Sequence, residues 1–153
     1  MKITPKTFLF IMPFLIFFIT SFIWLEILSQ KMGFIAGLII STLTSFFIFW
    51  NGLLISRRAG ELFSLKDRKQ IFIFSLGVAL GFCELVWAIS FLPFPFYILG
   101  GLFTIIFAMA FNIVNEYLKQ HRELKFLIKN IILGIGLIII FILSSPWLPP
   151  KTF

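Results

Sequence analysis

The chain has 153 residues, of which 60% are hydrophobic and 12% charged, with a mean hydropathy of +1.09. Several apolar runs exceed the roughly 18 residues a helix needs to cross a bilayer, which excludes an ordinary soluble domain and points to an all-α integral membrane bundle. The net charge of +7 would raise the question of nucleic acid in a soluble protein. Here Lys and Arg sit in short loops beside apolar runs, and no basic patch interleaves with stacking aromatics, so the expected partner is the lipid bilayer and not nucleic acid. The 23 phenylalanines invite an aromatic site, yet a biased nucleotide composition would produce the same Phe-, Ile- and Lys-rich chain. Cys83 is the single cysteine, which excludes an intramolecular disulfide and a thiolate metal cluster.

The first span, residues 7–28, follows the basic start that holds Lys2 and Lys6. It is too long for a signal peptide and lacks a small-residue cleavage site, so it is expected to remain as an anchor helix. Pro13 removes a backbone donor inside it and should kink or locally unwind that end. Trp24 and Glu26 mark the far end. The connection at 29–32 is so short that the second span, 33–55, must run back beside the first. Gly33, Gly37, Ser41 and Ser45 recur every four residues there and form a small-residue face, with Gly37 and Ser41 as expected helix-packing positions.

Residues 56–70 form the one substantial polar connection, with Arg57, Arg58, Glu61, Lys66, Asp67, Arg68 and Lys69. Leu62, Phe63 and Leu65 among those charges suggest a segment lying on the membrane surface. The third span, 71–92, carries Gly77, Gly81, Glu84 and Ala88 at i, i+4, i+7 and i+11, on one helical face. Leu76, Leu80, Cys83 and Trp87 share another face. The Gly77 and Gly81 pair is a Gly-x-x-x-Gly pattern, which lets another backbone come close. A charge at bilayer depth costs about 2.5 to 3.5 kcal/mol, so Glu84 is expected to turn toward protein and find partners, or to carry its proton.

The prolines at 93 and 95 cannot continue a helix and predict a tight uncharged turn. A fourth span, 96–118, follows, with Gly101, Thr104, Ala108, Asn112 and Asn115 along one stripe. A second basic loop at 119–125 contains His121 and Arg122. The fifth span, 126–144, is nearly all Ile, Leu and Phe and should be the most lipid-exposed, with Lys129 reaching back to the interface. Trp147 is expected as an interfacial anchor beyond it.

Orientation follows from all thirteen Lys and Arg. With five spans, eleven of them collect on the side of the N-terminus and only Lys31 and Lys151 on the other. The N-terminus is therefore expected in the cytoplasm and the C-terminus outside.

Glu84 is the sharpest candidate, about 20 Å from the cytoplasmic end of its span and 12 Å from the outer end at 1.5 Å per residue. It could exchange a proton or capture a cation, or it could be a packing device bonded to Ser41, Thr44, Ser45 or Thr104. Trp87 stands one turn on, and a polar track from Asn112 toward Glu84 would complete an intramembrane site. His121 has no second ligand for a metal, and neither a nucleophile elbow nor a phosphate-binding glycine loop with Lys is present, so no catalysis, metal or cofactor is expected.

At Glu84-Leu85-Val86-Trp87-Ala88-Ile89-Ser90-Phe91-Leu92-Pro93-Phe94 the chain resembles a family of small uncharacterised bacterial multi-spanning membrane proteins. In that family an acid, a Trp three residues on and a Leu-Pro turn close one span. The resemblance covers mainly spans three and four and implies a multi-pass protein of a bacterial plasma membrane with a role for Glu84 and Trp87. It implies nothing about a substrate. The sequence thus predicts a five-helix bundle with hairpins 1-2 and 3-4 packed through small-residue faces and helix 5 at the edge. Two functions fit it: a non-enzymatic scaffold or accessory subunit contacting other membrane proteins or copies of itself, and a proton- or cation-coupled transporter centred on Glu84.

Overall fold

The computed structural model describes residues 5–58, 68–118 and 124–144. Of the polar connection expected at 56–70, residues 59–67 lie outside the described residues, as do 119–123 of the basic loop expected at 119–125, with His121, and Trp147; the remaining residues of both loops are helical. Among the described residues the chain forms five helices: α1 (Pro5–Leu28), α2 (Phe34–Arg58), α3 (Arg68–Ile89), α4 (Phe96–Leu118) and α5 (Leu124–Leu143). Each contains a stretch long and apolar enough to cross a membrane. Helix α4 keeps the expected bounds because Pro95 precedes it: the Pro95 carbonyl accepts the first helical bonds, from the amides of Ile98 and Leu99 at 2.9 and 3.2 Å. Helix α3 begins and ends about one turn earlier than the apolar run, since Arg68, Lys69 and Gln70 are helical although polar. Its end is closed by Ser90, whose hydroxyl donates to the Trp87 carbonyl at 2.5 Å.

Helix α1 runs through Pro13 without interruption, so the expected local unwinding is not seen. It ends in a Schellman motif. The Lys31 amide bonds to the Glu26 carbonyl at 3.1 Å and the Gln30 amide to the Ile27 carbonyl at 3.0 Å. Gln30, at φ 59°, occupies the left-handed position where glycine is usual.

The packing differs from the expected pair of hairpins. Helix α4 lies mainly against α1 and next against α5, while α3 lies mainly against α2 and meets α4 over a short stretch. Consecutive helices joined by a tight turn thus need not be the main packing partners. Among the packed helix pairs, α5 meets α4 and no other, in keeping with its place at the edge. What joins α2, α3 and α4 is a set of rings. Phe107 of α4 stands 5.9 Å from Phe49 of α2 and 4.8 Å from Phe82 of α3, and Phe82 is also 5.4 Å from Phe103. Phe49 meets Phe111 at 5.1 Å. Tilted and edge-on pairs at these distances use the aromatic quadrupole as well as buried area. The outer surface is the reverse of a soluble protein's: Phe10, Phe18, Ile35, Leu80, Phe91, Ile132, Ile140 and Leu143 are all exposed. An exterior of this kind fits hydrocarbon and not water.

Helices α1 and α4 cross with their backbones very near each other. A Cβ built on Gly100 would stand 2.8 Å from the Ser21 backbone nitrogen and 2.9 Å from its Cα. Only a residue without a side chain allows two backbones so near. Two hydroxyls converge on the Gly100 carbonyl: Thr104 donates to it at 2.8 Å, and Thr20 of α1 reaches it at 3.4 Å while bonding its own Ile16 carbonyl at 2.7 Å. The next residue, Gly101, faces the other way and receives the Phe141 ring of α5. Gly134 of α5 in turn accepts the Met109 side chain of α4.

Candidate functional site

Helix α3 buries Ile71, Ser75, Ala79, Phe82, Val86 and Ile89, a stripe that faces α2 and the ring cluster. Starting from that stripe, the helical rotation of about 100° per residue places Gly77, Gly81, Glu84 and Ala88 on nearly the opposite side. All four are exposed. A Cβ added at Gly77 or Gly81 meets nothing within 4 Å. The expectation that this glycine pair receives another helix of the chain, and that Glu84 turns inward, is therefore corrected: the stripe looks out of the bundle. The reason is that the Ser75, Ala79 and Phe82 side of α3 offers small residues as well, beside a ring that fits the α4 aromatics, and the helix can bury only one side.

Glu84 has no hydrogen-bond or ion-pair partner among the described residues. Hydroxyls that were expected to serve it are occupied within their own helices. Ser45 donates to the Ser41 carbonyl at 2.8 Å and Thr104 to that of Gly100 at 2.8 Å. Counting 16 residues from Arg68 and five to Ile89, Glu84 lies about 24 Å from the basic end of α3 and about 7 to 8 Å from the other. Trp87 is exposed beside it and meets the Phe91 ring edge-on at 5.0 Å. Asn112 is half-buried on α4, six residues from Leu118, so it lies about 15 Å nearer the basic end than Glu84. The helix ends therefore hold the three expected site residues in two places: Glu84 with Trp87 on the outside of α3, and Asn112 apart on α4.

Gly37 and Ser41 are buried in α2, and a Cβ on Gly37 would run into the Ile27 side chain of α1. Ser21, Ser75, Trp50 and Asn115 each bury a polar side-chain atom that lacks a partner among the described residues. Sequence reasoning passed over Gly100, the residue at which α4 meets the α1 backbone. The signal was present as two adjacent glycines in the first turn and a half of a span, which supply a bare backbone to two different neighbours.

Two apolar grooves stand out among the described residues. One, of about 650 Å³, lies along α1 and is lined by Phe18, Phe22, Leu25, Glu26, Ile40 and Phe96 among others. The other, of about 240 Å³, lies between α1, α4 and α5. A third cavity, of about 260 Å³, is lined by Leu54, Arg57, Arg58 and Arg68 at the basic end. Glu84 lines none of the three. No protein family matches the chain, and neither curated proteins nor solved structures give a match. The resemblance at residues 84–94 rests on those residues alone.

Proposed function

We infer that this chain is a non-enzymatic multi-pass protein of a bacterial plasma membrane, with its N-terminus in the cytoplasm and its C-terminus outside. It works as a scaffold or accessory subunit by docking a helix of another membrane protein on the outward stripe of α3. The observation that carries this reading is Glu84: a carboxylate exposed among Gly77, Gly81 and Ala88, on the side of α3 that no helix among the described residues covers. Left against hydrocarbon, such a group is costly, and a partner helix bearing a donor at the same depth (Lys, Arg, Asn or Ser) removes that cost. The two glycines let the partner's backbone come near enough for the contact, and interhelical bonds of this kind contribute about 0.6 to 1.7 kcal/mol.

The transporter reading draws no support from these positions, since none of the three cavities described above reaches Glu84 and Asn112 lies far from it along the axis. The test is photo-crosslinking in native membranes from position 88, with position 137 of α5 as the lipid-facing reference. The expected result is a discrete protein adduct from position 88 that Gly81→Leu abolishes, and lipid adducts only from position 137. Lipid adducts alone from both positions would overturn the reading. An adduct of twice the chain's mass would make the partner a second copy.

A further inference from the structure

The cavity at the basic end belongs to neither the α3 stripe nor the ring core. Leu54, Arg57 and Arg58 stand within one turn of each other at the end of α2, and Arg68 is the first residue of α3. Together they enclose about 260 Å³. Three guanidinium groups that line one small cavity repel each other, and an anion among them turns that repulsion into attraction. The helix ends do not decide the field, because α2 ends and α3 begins there. Their partial charges, roughly half a charge each, are opposite in sign. The connecting segment 59–67 holds Glu61, Lys66 and Asp67, a formal −1 that leaves the three arginines in excess. Arg57 is half-buried and already engaged by a neighbouring group, so it forms a wall. Arg58 and Arg68 are exposed and line the cavity with it.

We propose that this cavity is a phosphate-binding site, in which Arg58 and Arg68 hold the phosphate oxygens through paired N–H donors and Leu54 supplies an apolar floor. A guanidinium fork matches the spacing of phosphate oxygens, and each pair of bonds is charge-assisted. Phosphate reaches such a place from two sources, the headgroup of an anionic lipid or free phosphate in solution. Basic pockets between membrane helices take headgroups in this way. Leu54 is half-buried on the apolar part of α2, and the glycerol and chains of a lipid held here would lie along that helix. The site does not depend on what docks on α3.

The experiment uses the full chain purified in neutral detergent. Binding of phosphatidic acid and, separately, of inorganic phosphate is read by native mass spectrometry and by the shift in thermal unfolding. The variants are Arg58→Gln with Arg68→Gln, the charge-conserving Arg58→Lys with Arg68→Lys, and Lys69→Gln with Lys125→Gln, which removes equal charge outside the cavity. At about fivefold per basic residue lost near a membrane surface, the double Gln variant should bind phosphatidic acid about 25-fold more weakly, and the Lys69 and Lys125 variant much less so. The double Lys variant should fall between them, because it keeps the charge and loses the forks. Binding of phosphatidic acid but not of inorganic phosphate assigns the site to lipid; equal dependence of both on Arg58 and Arg68 assigns it to phosphate from solution. If the two Gln variants lose binding equally, or neither ligand binds, the proposal is overturned.

Discussion

Two glycine pairs, one in α4 and one in α3, have opposite fates. Gly100 and Gly101 are both filled: one meets the α1 backbone at Ser21, the other the Phe141 ring of α5. Gly77 and Gly81, in the more familiar four-residue spacing, meet nothing. The difference teaches that a bare patch on an apolar helix marks a place for close approach without saying whose backbone comes. In α4 the neighbours are supplied by the same chain, and in α3 the place is left vacant beside a carboxylate. The first pair holds helices of the chain together, and the second is where the proposed partner helix would dock.

The largest expected effect separates the pairs directly. Gly100→Leu puts a side chain into the Ser21 backbone, which cannot move without carrying α1, so it should destabilise the fold by about 3 kcal/mol or more. Gly81→Leu adds the same side chain to open space and should cost nothing, or raise stability by up to about 1 kcal/mol as a mid-helix glycine is removed. Unfolding of helical circular dichroism in detergent measures both. Equal losses would break the comparison by showing Gly81 to be internal. Gly101→Ala sharpens it. Its obstacle is the far edge of the Phe141 ring, which can turn aside, so the loss should be about 1 to 2 kcal/mol. In a double-mutant cycle, Phe141→Leu should recover much of that loss, a coupling of about 1 kcal/mol.

The helices themselves were legible because hydrocarbon demands them: with no water to satisfy the backbone, an apolar run of this length between basic loops has one outcome. The bounds of α4 were legible for the same reason, sharpened by Pro95. The inward side of α3 was not. In water, the buried face of a helix differs in polarity from the exposed one, but here Phe82 and Val86 point in while Leu80 and Trp87 point out, and nothing in their chemistry tells them apart. The polar residues misled in the same way. Ser45 and Thr104 read as partners for Glu84, yet a hydroxyl in a helix has a carbonyl one turn back always within reach. The pairing of α1 with α4 was also hidden, since loop length fixes which helices are neighbours in sequence and not which faces match.

A smaller effect tests the vacant pair through its acid. Glu84→Leu removes an exposed group without a partner among the described residues, so the unfolding midpoint of the monomer should stay in place or rise slightly. Crosslinking from position 88 should weaken by about threefold to twentyfold, the equivalent of one interhelical hydrogen bond. Glu84→Gln keeps a donor and an acceptor and should retain more of the signal than Glu84→Leu. A fall in monomer stability on Glu84→Leu would mean that the carboxylate serves the fold and would return the α3 stripe to the interior.

The smallest effect concerns a glycine that is absent. Gly100 is required by contact, but at Gln30 the backbone itself asks for glycine, with φ at 59° in the turn that joins α1 to α2. The left-handed conformation costs an ordinary residue about 1 to 2 kcal/mol. Glycine avoids that cost but adds freedom to the unfolded chain, which takes back roughly 0.4 to 1 kcal/mol. Gln30→Gly should therefore stabilise the protein by about 0.5 to 1 kcal/mol, with the Schellman bonds of Gln30 and Lys31 kept, and thermal unfolding would detect it as a small rise in midpoint. A fall instead would show that the Gln30 side chain itself holds the turn, and the distinction between glycine demanded by conformation and glycine demanded by contact would need redrawing.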